Sequence, residues 1–125
     1  MVKFLTADWV SALDREASTQ ESPIAETFVA EYRVRLEAGG FFVYQIRFDA
    51  HVVTVRVGAP SAPTIVLSTD RVTAQGVATN ALSAQAAFMA GQLRLDGDTM
   101  ALVRNRDAFA MLDDLFAAVR TMTEY

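Results

Sequence analysis

Between Phe28 and Val57 apolar and polar residues alternate almost without interruption, and nothing else in the chain constrains its fold as strongly. From Ile24 to Leu36, the residues Phe28, Ala30, Tyr32, Val34 and Leu36 point one way while Glu31, Arg33, Arg35 and Glu37 point the other. That is the period of a strand with one dry face. Gly39-Gly40 supplies a turn that tolerates positive φ, after which Phe42, Tyr44, Ile46 and Phe48 repeat the apolar face and Gln45, Arg47 and Asp49 the polar one. A turn near Asp49-Ala50 leads to Val53, Val55 and Val57, alternating with Thr54 and Arg56. Short turns force neighbouring strands to run antiparallel, so the stretch is a meander whose dry face needs a cover. On the wet face, the interleaving of Arg33, Arg35, Arg47 and Arg56 with Glu31, Glu37 and Asp49 predicts cross-strand ion pairs rather than an anion site.

The remaining segments read mainly as helices and short strands. Thr6 or Asp8 can cap a first helix through about Thr19, carrying Trp9, Leu13 and Val10 on a narrow face and exposing Asp14, Arg15 and Glu16. A helix with so narrow a face belongs at the domain edge, with Trp9 as an edge staple or part of a ligand mouth. Gly58 to Pro63 reads as a loop and Thr64 to Ser68 as a fourth strand. Thr69 is the expected cap of a weak helix to about Asn80, weakened by Gly76 at roughly 1 kcal/mol relative to alanine.

Ser83 then caps the run Ala84 to Ala90, Gly91 ends it in the left-handed conformation, and Gln92 to Leu95 returns to strand spacing before Gly97-Asp98 turns the chain again. A brief helical turn through Met100, Leu102 and Val103 precedes a last helix, capped by Asp107 and running to about Met122. That helix has Phe109, Leu112, Phe116 and Val119 on one stripe, with Met111, Leu115, Ala118 and Met122 beside it. One packing face needs only one stripe. The second asks for a partner: another protomer, a membrane surface or an apolar ligand.

Composition removes several functional classes. The chain has 125 residues, the size of one domain spanning 1–125, and no cysteine, so disulfides, thiolate metal sites and cysteine nucleophiles are excluded. With His51 the only histidine, a Ser-His-Asp triad or a multi-histidine metal site lacks material. The net charge is −4 and the eleven Lys and Arg residues are scattered, which argues against nucleic acid as a partner. No stretch approaches the roughly 20 apolar residues of a membrane span, and the first ten residues are too polar for a signal-peptide core. The final Thr-Glu-Tyr is unlike the peroxisomal Ser-Lys-Leu address. A cytoplasmic protein without a cofactor is the expectation.

The segment from Ser83 to Asp98 also carries a resemblance. Ala87-Phe88-Met89, Gly91, Leu93 and Gly97-Asp98 are similar to the Ala-Phe-x-x-Gly-x-Leu-x-x-x-Gly-Asp signature of the sterol carrier protein 2-like family. More loosely, the similarity extends from about Phe28 to the last helix. The resemblance implies an α+β fold: a five-stranded, mostly antiparallel sheet, helices covering one face, and a lipid-sized apolar cavity between the layers. It implies non-catalytic binding, and transfer, of a fatty acid, acyl chain, phospholipid or sterol-like molecule.

On that basis Phe88, Met89, Met100, Leu102, Phe109, Met111, Leu112, Leu115 and Phe116 are expected to line the cavity. Methionines suit a wall that must accept varied shapes. Two other classes stay open. One is an interaction module that buries the broad last helix, Leu115 and Met122 included, against a second copy or another partner. The other is a small enzyme acting on an apolar substrate, with His51 and Asp49 as its acid/base pair. A homodimer and transient membrane contact stay open as partners of the second stripe. His51 reads more simply as a solvated turn residue, Asp96 and Asp98 as turn and cap residues without the further oxygens a calcium loop needs, and Asp113-Asp114 as the solvated face of their helix.

Overall fold

The computed structural model describes residues 1–125. The elements in chain order are β1 (Val2–Lys3), α1 (Ala7–Ala17), β2 (Phe28–Arg35), β3 (Phe41–Phe48), β4 (Val53–Val57), β5 (Ile65–Asp70), α2 (Arg71–Ala78), α3 (Ala84–Met89), β6 (Leu93–Gly97), α4 (Met100–Arg104), α5 (Arg106–Arg120) and β7 (Thr123–Glu124). The main sheet has five strands in the order β4-β3-β2-β5-β6. All its neighbours are antiparallel except β2 and β5, which run parallel. This is the α+β architecture expected from the alternation and the resemblance.

Register explains why one face is dry. Ala30 stands opposite Ile46 on one side and Ile65 on the other, and Ile46 stands opposite Val55, giving an apolar row across four strands. All four side chains are buried. A second row places Tyr32 opposite Tyr44 and Leu67, and Leu67 opposite Leu95. A one-residue slip in any pairing would turn these rows to solvent, so the burial itself fixes the register.

Several expectations are corrected by the packing. First, α1 lies along the sheet edge on β4 as expected, but its buried face is broader than the narrow one read from the sequence. It buries Trp9, Val10, Ala12, Leu13 and Ala17, packs on β4 and α5, and is capped by Thr6, whose hydroxyl accepts the Trp9 N–H at 3.3 Å. Asp14, expected to be exposed, accepts the Val55 N–H at 2.8 Å and pairs with Arg56 at 2.7 Å. A carboxylate therefore occupies a donor on the sheet edge that would otherwise recruit another strand.

The wet face is paired along strands rather than across them. Arg33 meets Glu31 at 3.2 Å and Arg47 meets Asp49 at 3.0 Å. Residues two apart project from the same face, so the long Arg side chain reaches its own strand's carboxylate first.

Two helix caps also differ. Asp70, not Thr69, caps α2 by accepting the Thr73 N–H at 2.8 Å, while the Thr69 hydroxyl donates to the Gln92 carbonyl at 2.8 Å. Asn105, not Asp107, occupies the cap position of α5, because α5 follows α4 almost directly and places Asp107 in the first turn. The terminal strands β1 and β7 pair in parallel, which no periodicity signalled because each has two residues.

The two signature glycines behave differently. Gly91 has a φ of 77° with open space around it, as a helix-ending glycine requires. Gly97 has a φ of 98°, and a Cβ there would lie 2.6 Å from the Thr64 carbonyl oxygen. The close approach of β6 to the start of β5 therefore depends on Gly97 for both space and conformation.

Candidate functional site

The dry face of the sheet and the helices above it do not close completely. Between them lies a cavity of about 140 Å³, with fourteen hydrophobic residues among its seventeen lining residues. Its floor is Tyr32, Val34, Tyr44, Leu67, Thr69 and Leu93 from β2, β3, β5 and β6. α5 supplies Phe109, Leu112, Asp113 and Phe116, a set spaced to fall on one helical face. α2 contributes Thr73, Ala74, Val77 and Ala78, while Phe4, Trp9 and Ala84 complete the wall.

Aromatic rings pack against one another along the floor and one side. The rings of Tyr32 and Tyr44 are stacked with centroids 4.8 Å apart and planes 6° from parallel. Trp9 stacks on Phe116 at 6.1 Å and meets Tyr44 and Phe4 edge-on at 5.2 and 4.9 Å. The cover is lighter, because α2 buries only Thr73 and Ala78 and α3 only Ala87. Arg120 fastens this cover from α5, donating from Nε and Nη2 to the Ala78 carbonyl at 3.1 and 3.0 Å.

The electrostatics follow from burial. Desolvation, and then the charge of Asp113, push the Tyr32 phenol well above its ordinary pKa; burial, and then Tyr32, do the same for Tyr44. Both therefore stay neutral at physiological pH. Asp113 is raised from the usual carboxylate value by desolvation first and by neighbouring Asp114 second.

Of the residues expected to line a cavity, Phe109, Leu112 and Phe116 do so together. Met111 and Leu115 do not; they are buried in the core, on the second stripe of α5. Leu102 is partly buried against the same core. Phe88, Met89 and Met100 face outward, at 50%, 78% and 63% exposure. The physical reason for Phe88 and Met89 is the shortness of α3: Ala84 borders the cavity and Ala87 is buried, which turns the bulky pair at its end to solvent. Trp9, for which two roles stood open, is at once core and cavity wall.

Sequence reasoning missed the sheet residues, although dry-face alternation marks Tyr32, Val34, Tyr44 and Leu67 as facing the layer. Asp113 is exposed, as its solvated reading expected, but it also borders the cavity, which that reading did not foresee. The overlooked signal was spacing: Asp113 is four residues after Phe109 and three before Phe116.

Candidate polar sites elsewhere do not assemble. His51 is exposed in the β3–β4 connection, and the carboxylate of Asp49 is engaged by Thr27 and Arg47, both at 3.0 Å. Asp96 pairs with Arg94 at 3.0 Å, and Asp98 pairs with Arg104 while accepting the Ala101 N–H, both at 3.3 Å. No group of three or more His, Asp or Glu residues converges where a metal ion could be held. No helix is long and apolar enough to cross a membrane.

Comparison with known proteins agrees with this geometry. The sequence model of the SCP-2 sterol transfer family matches residues 10–110. The chain belongs to that family.

The SCP-2 fold is shared with solved structures of low identity. Sterol carrier protein 2 superposes with a TM-score of 0.70 at 21% identity, covering 94% of this chain and 97% of its own. A conserved hypothetical protein from Thermus thermophilus gives 0.67 at 20%, covering 95% and 91%. The palmitated sterol carrier protein 2-like 2 of Aedes aegypti gives 0.56 at 16%, covering 88% and 86%. Among curated protein sequences there is no match.

Proposed function

We propose that this protein binds, and passes on without chemical change, an apolar molecule held between the sheet and the helices α2 and α5. One observation carries the reading: an almost wholly apolar cavity, floored by stacked aromatic rings, in a family defined by sterol transfer. The palmitated Aedes relative lends support by fold.

The size of the cavity refines the expected mode of binding. A volume of about 140 Å³ suits a group of about benzene size. It does not suit a whole lipid. Burying a chain of about 16 carbons at roughly 0.8 kcal/mol per CH₂ gives about 12 kcal/mol gross, enough to offset several kcal/mol of association cost; a ring-sized fragment gives less than half of that. In this reading a whole lipid enters by displacing the lightly packed α2 and α3, while the sheet and α5 stay fixed.

The interaction-module alternative is not favoured. Leu115, which such an interface would need, is fully buried within the chain by its own core, and α1 packs on α5. Native mass spectrometry of gently purified protein tests the proposal. A co-purifying apolar small molecule of defined mass is the expected result, and protein that is free of ligand and stays so after incubation with lipid vesicles contradicts it.

A further inference from the structure

Asp113 is out of place in its surroundings. It occupies a cavity-facing position on α5 between Phe109 and Phe116, where helical spacing would place another apolar residue. It lines the cavity and is also exposed, which puts its carboxylate at the mouth.

The ion pairs of the chain engage Asp14, Glu26, Glu31, Asp49, Asp96 and Asp98 but leave Asp113 without a partner. No Lys, Arg or His is among the lining residues. Two cations touch lining residues from behind the wall, and both are engaged there: Arg120 is held by the Ala78 carbonyl, and the Arg71 guanidinium lies over the ring of Phe4 at 5.5 Å. The indole N–H of Trp9 has no acceptor but is sealed from open space, so it is not presented to an anionic head either.

An anionic head seated at this mouth would meet a carboxylate and no cation among the lining residues. A cationic head would meet that carboxylate in a lining rich in aromatic residues, Tyr32, Phe109 and Phe116 among them, a combination that favours ammonium groups. We propose that the cavity selects apolar amines, with the ring or chain of the ligand inside and its protonated nitrogen paired to Asp113 at the mouth. This rests on the cavity being a ligand site, and it names the head group that site prefers. The raised proton affinity of Asp113 is what an uncompensated, partly desolvated charge produces, and a bound ammonium would relieve it.

A matched series of decylammonium, decanol and decanoate, titrated at neutral pH and low salt below micelle formation, tests the head-group preference separately from the cavity. Decylammonium is expected to bind about tenfold or more tightly than decanoate, with decanol between them. Asp113→Asn should bring the amine and carboxylate to within about threefold, while Asp114→Asn, outside the lining, should keep the wild-type order. Equal or tighter binding of decanoate by the wild type overturns the proposal, as does an Asp113→Asn variant that keeps the preference. If decanol binds in either case, the cavity reading survives. If none of the three binds, both fail.

Discussion

Arg120 reaches back from the end of α5 to place two nitrogens on a single oxygen, the carbonyl of Ala78 at the end of α2. The bond satisfies a helix-terminal carbonyl that has no partner in its own helix, and it does so with a charge near the negative end of the α2 dipole. It also ties the light cover of the cavity to the rigid helix beneath.

Replacing this side chain with one of similar length and no charge, Arg120→Met, should therefore lower stability by about 1–2 kcal/mol, as expected for a hydrogen bond from a charged group that is partly exposed. More specifically, amide exchange should accelerate in α2 but not in β2 or β3. Uniform acceleration across the sheet would show that Arg120 supports the whole fold rather than the cover.

Gly97 and Gly91 separate space from conformation. At Gly91 only the positive φ opposes a side chain, so Gly91→Ala should cost about 1–2 kcal/mol and leave the protein folded; Gly91→Val should cost more but need not unfold it. At Gly97 the Thr64 carbonyl is also in the way, and Gly97→Ala should cost at least about 3 kcal/mol. Denaturant titration ranks the two; equal losses would mean that β6 moves away from β5 freely.

The stripes of α5 predict a contrast among residues of similar chemistry. Leu115→Ala empties a fully buried site and should cost about 2–5 kcal/mol. Met89→Ala, at 78% exposure, should stay within about 0.5 kcal/mol and leave ligand affinity unchanged. A large effect of Met89 on affinity would place the ligand outside the cavity, against α3.

Asp113 gives a pH dependence with a definite sign. Its carboxyl takes up a proton more readily folded than unfolded, so its charge is a burden on the folded state at neutral pH, and the burden fades as pH falls through the raised pKa. Asp113→Asn should thus melt above the wild type at pH 7, and the gap should close below the ordinary value of 3.8. A variant less stable than the wild type at pH 7 would mean that Asp113 has a favourable partner.

How much of this was legible in the sequence depended on the range of the interaction involved. The meander from Phe28 to Val57, the Thr6 cap and the turn at Gly91 are local: alternation, a hydroxyl and a missing Cβ each act within a few residues. The destination of a helical stripe is not local. Met111, Leu115, Phe109 and Phe116 share one broad apolar face, and only the placement of α1 against α5 decides which pair packs in the core and which borders the cavity. Phe88 and Met89 belong to a recognisable signature, yet α3 is too short to bury anything but its alanine. Asp113 was hidden by its neighbour: Asp113-Asp114 looks like a solvated pair, although the two point in directions about 100° apart on a helix.

The central claim, that ligand occupies the space between α2, α5 and the sheet, is tested most directly by filling that space. Ala74 lines it from α2 and is half-buried, so Ala74→Phe can enter the cavity without removing a core contact. Titration of a fluorescent fatty-amine analogue should show saturable binding to the wild type below about 100 µM and binding at least about tenfold weaker in Ala74→Phe, with circular dichroism and melting temperature preserved. Unchanged affinity in a folded Ala74→Phe variant would contradict the account.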